Sequence, residues 1–311
     1  MKGEVVLISA DFQHFGFASS IGEFESGSPE WLELRRSRIG GSDVASIMGW
    51  SKWTSAYALW ALKTGRVADS GSSEVMEWGS ILEPVIRQRF ADKHPEWLVV
   101  DTKSTFVSDQ HEFLLANPDG LIFKSGSLDC DFDDLADVGL LEIKTARFED
   151  DWVNGIPRYY QTQLNHYLWV LGLSWAKVAV LFGGSSYKEF DFEFDQAMWD
   201  ETFFMVDKFY ASMVSDVAPD WDGSTSTYET VRVLNPSIVD ESVDLGDLGV
   251  HLGLAASEFK AAEAHLRELK SRTLDAMGLA KYGHVELDSG EVIRVASRES
   301  RGGGLPFLVL K

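Results

Sequence analysis

The spacing of hydrophobic and polar residues along the chain predicts an alternation of helices and strands. Apolar residues recur every three or four positions, the spacing of one helix face, in the segments 31–36, 55–63, 78–93, 156–171, 196–214 and 254–277. Runs rich in β-branched, aromatic and leucine residues, which favour strands, occupy 97–107, 112–123, 139–146, 175–183 and 187–194, with a hairpin at 285–295. This order predicts an α/β fold, a mixed central β-sheet flanked by helices.

Three segments are expected along the chain. Residues 1–28 form an N-terminal extension punctuated by Gly and Ser, with one predicted strand at 5–8, and residues 29–215 form the core. Residues 216–311 comprise an acidic, irregular linker, the amphipathic helix and the hairpin. That helix suits a lever, a partner surface or a subunit contact. With 311 residues, 45% of them hydrophobic, the chain can fill one large domain or two smaller ones.

The cysteine content and the hydropathy of the chain indicate the environment in which the protein works. The single cysteine, Cys130, excludes an internal disulfide framework and a cysteine-rich zinc site, and it fits a reducing cytosol. No apolar run approaches the roughly 18 residues of a membrane span, and the first twenty residues lack a signal-peptide core. We therefore expect a soluble, cytoplasmic protein that has no membrane partner.

The formal net charge of −21 argues against a nucleic-acid partner, but its distribution weakens that argument. Residues 186–250 hold three Lys/Arg against fifteen Asp/Glu, whereas residues 31–100 hold nine against eight. The acidic stretch 129–133 resembles the start of an EF-hand loop, but Asp134 stands where glycine is needed and Leu140 where glutamate is needed. We interpret that stretch as a solvated loop, and the charge alone does not exclude DNA.

Candidate chemistry begins in the predicted strand 139–146. Successive side chains of a strand point to opposite faces, so Glu142 and Lys144 share one face of a mostly apolar segment. A carboxylate and an ammonium are costly in a core. The pair makes sense if Glu142 holds a divalent cation and Lys144 lies beside the water that the cation activates. The alternative is a surface strand with an ion pair across its face.

Two more carboxylates can join that site. Asp119, in a Pro-Asp-Gly turn after an apolar stretch, can bring a second carboxylate to the cation. Carboxylate oxygens with some retained waters are the ligands that Mg²⁺ prefers. Glu83 adjoins the apolar stripe of the helix 78–93; its structural alternative is a pair with Arg87, four residues further on.

A possible anion site lies where the segment Ile-Gly-Gly-Ser-Asp, residues 39–43, opens the next helix. Backbone N–H groups at a helix start favour anions, and guanidinium groups pair well with phosphate. Three arginines stand close by in sequence: Arg35, Arg36 and Arg38. The alternative is an ordinary helix start, in which Ser42 is the cap and the arginines are solvated.

Six motifs occur in a recognisable order. They are Trp-Leu-Glu-Leu-Arg at 31–35, Ile-Gly-Gly-Ser-Asp-Val at 39–44, Trp-Gly-Ser-Ile-Leu-Glu at 78–83, Pro-Asp-Gly at 118–120, Leu-Glu-Ile-Lys at 141–144 and Pro-Arg-Tyr-Tyr-Gln-Thr-Gln at 157–163. Together they resemble the YqaJ-like viral recombinase family, relatives of the phage lambda exonuclease among the PD-(D/E)XK nucleases. The resemblance covers residues 30–185 and implies a restriction-endonuclease-like core.

The resemblance also implies roles for the matching residues. Asp119, Glu142 and Glu83 correspond to metal-binding carboxylates, and the backbone carbonyl of Ile143 to a further metal ligand. Lys144 corresponds to the lysine that orients and helps to activate the attacking water.

Three further residues match positions that handle the substrate. Gln163 corresponds to the glutamine that positions the nucleophile or the scissile phosphate. Arg35 and Ser42 correspond to residues that grip DNA phosphate, including the 5′-terminal one. The long acidic insert between Asp119 and Glu142 and the strongly negative net charge depart from the family pattern.

The implied activity is a Mg²⁺-dependent exodeoxyribonuclease, with Mn²⁺ as a substitute, that degrades one strand of linear double-stranded DNA from its 5′ end. It would leave a 3′ single strand for an annealing protein in phage-type recombination. The resemblance also implies a homotrimeric ring and a phage or prophage gene in a bacterial host. No phosphate-binding Gly-x-x-x-x-Gly-Lys-Ser/Thr loop occurs, so we expect no ATP use. The alternatives are an endonuclease or repair nuclease of the same fold, or a non-catalytic module that binds DNA ends.

Overall fold

The computed structural model describes residues 8–9, 12–24, 27–69, 71, 73–128 and 135–311. The predicted acidic loop at 129–133, with Cys130, lies outside the described residues, as does most of the strand predicted at 5–8. The chain divides into two compact units, Met1–Ser237 and Ile238–Lys311. The segment limits predicted at 28/29 and 215/216 remain predictions.

The helices of the first unit closely follow the hydrophobic pattern. They are α1 Pro29–Ser37, α2 Gly41–Ile47, α3 Ala56–Lys63, α4 Glu74–Lys93, α5 Arg158–Leu171, α6 Gln196–Val214 and α7 Thr225–Leu234. Serine side chains that accept first-turn N–H groups cap α1, α3 and α4, which satisfies donors that a helix start leaves unpaired. Gly172, with a φ of 69°, ends α5 in the left-handed conformation that glycine adopts at low cost.

The irregular segment predicted at 216–250 is wrong where α7 forms. The Ser224 hydroxyl accepts the Thr227 N–H at 3.1 Å and so caps this helix. The Thr227 hydroxyl in turn donates to that of Ser55, the capping residue of α3, at 2.8 Å. This contact joins residues 172 positions apart, so tertiary packing outweighs the polar local composition that favoured an irregular chain.

The described residues of the first unit form two sheets. The strands are β1 Ile8–Ser9, β2 His14–Phe15, β3 Ala18–Glu23, β4 Ile39–Gly40, β5 Leu98–Asp101, β6 Ser104–Ser108, β7 Leu114–Ala116, β8 Gly120–Phe123, β9 Val138–Ala146, β10 Trp175–Phe182 and β11 Ser186–Glu193. The central sheet has the order β1-β5-β8-β9-β10-β11, and the second has the order β2-β3-β6-β7-β4. The strands predicted at 97–107 and 112–123 are therefore each divided between the two sheets.

Strand β9 lies inside the central sheet, antiparallel to β8 and parallel to β10, and α5 forms the crossover between β9 and β10. On one face, Phe90 of α4 packs in a cluster with Leu141 and Ile143 of β9. On the other face, Leu164 and other residues of α5 pack in the main core. A mixed sheet between helices confirms the predicted α/β fold class.

The second unit is a long helix followed by a small sheet. It comprises α8 Gly246–Met277, β12 Tyr282–Glu286, β13 Val292–Glu299 and β14 Phe307–Leu310. The three strands are antiparallel in the order β12-β13-β14, so the predicted hairpin is present and gains a third strand. Helix α8 begins eight residues before the predicted start at residue 254. Among the described helices, none has both the length and the apolar character that a membrane crossing needs.

Candidate active site

Glu142 is the buried centre of the candidate site. Its side chain, on the core strand β9, is only 1% exposed. Oxygen Oε1 accepts hydrogen bonds from Lys144 Nζ at 2.5 Å and from Gln163 Nε2, on α5, at 2.7 Å. Oxygen Oε2 has no hydrogen-bond partner among the described residues. A buried carboxylate oxygen without a donor is costly, so this oxygen is available to a ligand.

Asp119 reaches the same place from the neighbouring strand. Gly120 pairs with Leu141 in the antiparallel ladder of β8 and β9, so the residue before Gly120 lies opposite the residue after Leu141. The Ile143 N–H donates to Asp119 Oδ2 at 2.7 Å and fixes that carboxylate. The structure thus brings Asp119, Glu142 and Lys144 together, as the sequence predicted. The role of the Ile143 carbonyl remains a prediction.

Helix α4 contributes Glu83 to the site. Arg87 of the same helix links Glu83 to two other segments, a role that the sequence did not reveal. The Arg87 guanidinium, 5% exposed, contacts Glu83 Oε1 at 2.5 Å and Asp101 Oδ2 at 2.8 Å, and its Nε donates to the Asp119 carbonyl at 3.0 Å. The predicted alternative, a pair between Glu83 and Arg87, is therefore present. Asp101 was missed, although it is the one charged residue that ends the apolar strand β5.

Burial and mutual repulsion raise the pKa values of the carboxyl groups in this cluster. Burial, together with the Asp119 charge, raises the pKa of Glu142 to about 8 and that of Glu83 to about 7. Burial also raises the pKa of Asp119. For Lys144, burial alone would lower the pKa, but Glu142 and Asp119 outweigh it and raise the pKa above its ordinary value. Without a further cation, the cluster therefore binds protons near neutral pH that the same carboxyl groups would not bind in the unfolded chain.

The donor set fits a divalent cation. Carboxylate oxygens are the ligands that Mg²⁺ and Mn²⁺ favour, and the unpartnered Oε2 of Glu142 is a free acceptor at the centre of the cluster. Among the described residues, no three Asp, Glu, His or Cys side chains already form a metal-binding group. Glu83 instead faces Arg87. Binding would therefore require Glu83 to turn from Arg87 or to stay outside the ligand set.

The other predicted residues gather at the start of α2. Arg35 Nη2 lies 3.2 Å from the Ser42 hydroxyl and 3.3 Å from Asp43 Oδ1. Lys63 Nζ, which is buried, contacts Asp43 Oδ2 at 2.8 Å. Burial alone would raise the pKa of Asp43, but Lys63 and Arg35 outweigh it and lower that pKa. The alternative in which Ser42 caps α2 is wrong: Gly40 is the N-cap residue, and its N–H donates to Asp43 Oδ2.

Gly41 joins this cluster to the carboxylate site. A Cβ atom at Gly41 would lie 2.6 Å from Cε1 of the Tyr167 ring and 3.1 Å from Cγ of Gln163. Only glycine lets α2 approach α5 this closely. The sequence flagged the two glycines 40 and 41 as part of an anion site, whereas the second one is needed for packing.

Gly41→Ala is expected to destabilise the fold by about 1–3 kcal/mol, because the added methyl group overpacks a buried contact, and to displace Gln163 from Glu142. Thermal unfolding and DNA cleavage measure the two effects. Gly40→Ala is the matched control, since a Cβ there meets its nearest atom at 3.8 Å. Equal melting temperatures for the two variants would contradict the packing account.

The fold is an α/β core whose central strand carries Glu-Ile-Lys at 142–144, beside Asp119 of the neighbouring strand. Residues 30–174 match the family model of the YqaJ-like viral recombinase domain, so the predicted resemblance to the YqaJ-like family is confirmed. The chain is also 29% identical, over 273 residues, to the uncharacterized protein YqaJ of Bacillus subtilis (strain 168). That alignment covers 84% of this chain and 82% of the relative.

Two solved structures are more distant. An alkaline exonuclease (LHK-Exo) from Laribacter hongkongensis is 21% identical, with a TM-score of 0.48; 61% of this chain and 94% of that chain are covered. A phage-related exonuclease from Haemophilus somnus 129PT is 11% identical, with a TM-score of 0.44; 58% of this chain and 96% of that chain are covered.

Proposed function

We propose that this protein is a divalent-metal-dependent exodeoxyribonuclease that hydrolyses linear double-stranded DNA from its ends. Mg²⁺ is the proposed cofactor and Mn²⁺ its substitute. The proposed direction is 5′ to 3′, and the product is a 3′ single strand for an annealing protein in phage-type recombination. Direction, partner and a homotrimeric assembly rest on the resemblance to the YqaJ-like family alone.

The observation that carries the proposal is the buried Glu142 carboxylate. One of its oxygens is held by Lys144 and Gln163, while the other has no partner among the described residues. Evolution of a stable core alone would not favour such an arrangement, because a hydrophobic residue of similar volume avoids its cost. A reaction that depends on a cation bound by Glu142 would explain why a carboxylate is buried at this position.

The residues around Glu142 have separate tasks in phosphodiester hydrolysis. A bound divalent ion would supply charge stabilisation at the phosphate and a hydroxide near neutral pH. Lys144 stays a cation beside Glu142, so it can donate hydrogen bonds to a water or a phosphate oxygen at this place. Gln163 fixes the rotamer of Glu142, and Arg87 holds the Asp119 backbone at 3.0 Å. These contacts preorganise the site before substrate arrives.

Digestion of one plasmid in linear and in covalently closed circular form tests the proposal. Wild-type protein with Mg²⁺ is expected to degrade the linear form, to spare the closed circle and to lose all activity with EDTA. Cleavage of the circle would instead support the endonuclease or repair-nuclease alternative. DNA binding without cleavage of either form would support the non-catalytic end-binding module.

Arg35 offers a test of end recognition. Its side chain is 35% exposed beside the Ser42 hydroxyl and stacks over the Trp31 ring at 4.7 Å. Arg35→Ala is expected to slow digestion of 5′-phosphorylated ends about ten- to hundred-fold, and to affect 5′-hydroxyl ends much less. Arg36→Ala, the neighbouring and more exposed arginine, is the control. Equal losses on both kinds of end would remove the end-recognition role.

A further inference from the structure

A run of aromatic rings leads from Lys144 to the protein surface. Lys144 Nζ lies 5.0 Å from the centre of the Tyr160 ring. The Tyr160 and Tyr159 rings are 4.5 Å apart, and the Tyr159 and Trp53 rings are 5.2 Å apart in an edge-to-face arrangement. The Trp53 side chain ends the run and is 64% exposed. An aromatic surface that is continuous with the site is therefore open to a ligand.

The charges beside these rings are already paired. Lys52 Nζ contacts Asp151 Oδ2 at 2.6 Å and lies 5.5 Å from the Tyr159 ring. Arg158 lies 3.5 Å from Glu201. With both cations partnered, the surface offers ring faces more than it offers free positive charge. This combination suits the flat, uncharged face of a nucleobase better than a phosphate.

We propose that Trp53 and Tyr159 form a subsite that stacks on unpaired nucleobases of a DNA strand at the active site. The subsite rests on the proposed function, since a nuclease that acts at a duplex end must hold bases that have left the stack. Such stacking tolerates any sequence, because every base has a π-face. Lys144 then marks the end of the subsite nearest the scissile phosphate.

Binding of fluorescein-labelled dT₁₀ in EDTA tests this subsite without any cleavage. Trp53→Ala is expected to weaken binding about tenfold, whereas Trp53→Phe keeps a ring and stays near wild type. Trp221→Ala is the matched control, because that side chain is 76% exposed and its ring lies beside Tyr57 rather than beside Tyr159. Its affinity should be unchanged.

An abasic oligonucleotide of the same length separates bases from phosphates. Wild-type protein is expected to bind it about tenfold more weakly than dT₁₀, and Trp53→Ala to bind both alike. If Trp53→Ala retains wild-type affinity for dT₁₀, or still prefers it to the abasic strand, the subsite is wrong. These results are independent of the proposed function, because binding is measured in EDTA, whereas the proposed function is tested by cleavage of DNA with Mg²⁺.

Discussion

Glu142→Gln is expected to reduce DNA cleavage about a thousand-fold or more, since a cation site that supplies several kcal/mol of stabilisation loses its central ligand. The same change is expected to stabilise the metal-free protein by about 1 kcal/mol, or about 2–4 °C in Tm. Glutamine keeps the oxygen that Lys144 and Gln163 contact. It also removes a buried carboxyl group whose raised pKa costs stability at neutral pH, because that group must bind a proton when the chain folds. Activity and stability thus move in opposite directions.

Metal titration in a thermal shift assay completes the Glu142 prediction. Mg²⁺ or Mn²⁺ should raise the Tm of wild-type protein, because a ligand that binds only the folded state stabilises it, and should leave Glu142→Gln unchanged. Asp150→Asn, an exposed acidic residue outside the cluster, is the control that should respond like wild type. If Glu142→Gln cleaves DNA at the wild-type rate, Glu142 is not the centre of the site.

Arg87→Met is expected to have the largest effect on stability, a loss of about 3 kcal/mol or about 6–12 °C in Tm. The buried guanidinium bridges Glu83, Asp101 and the Asp119 carbonyl. Methionine fills a similar volume but leaves the two carboxylates without their cation. Cleavage should fall as well, since Asp119 loses one of the contacts that hold its backbone.

The matched control for Arg87 is on the same helix. Arg89→Met replaces an exposed arginine two residues away, and such a surface change is expected to alter stability by less than about 0.5 kcal/mol. Calorimetry of both variants in EDTA measures the difference. Similar melting temperatures would mean that the Arg87 network contributes little, and the account of how α4 joins the site would be wrong.

Much of this site is readable from the sequence because its chemistry is local. Glu142 and Lys144 share a strand face by the two-residue period alone, and the apolar residues around them predict a buried strand. The Pro-Asp-Gly turn places Asp119 at the start of the next strand. The gathering of these residues follows once β8 and β9 are antiparallel neighbours, and the resemblance to the YqaJ-like family supplied the expectation for Gln163.

The rest depends on contacts between distant segments. A buried Arg87 that joins α4 to Asp101 leaves no local pattern, because an arginine at that spacing usually indicates an exposed helical pair. The buried pair of Asp43 and Lys63 likewise spans two helices. Helix α7 was missed because Thr227 also contacts Ser55, the distant capping residue of α3, and no local pattern reveals that contact. The hydrophobic periodicity of a segment predicts which face of a helix or strand is buried, but not which distant residue packs against that face.

The most direct test of the central claim is digestion of linear duplex DNA that carries a label at either the 5′ or the 3′ end. With Mg²⁺, wild-type protein should release the 5′ label first, as a mononucleotide, and Glu142→Gln or added EDTA should stop that release. Early release of the 3′ label would reverse the proposed direction. Release that persists in Glu142→Gln or in EDTA would contradict the metal-dependent site itself.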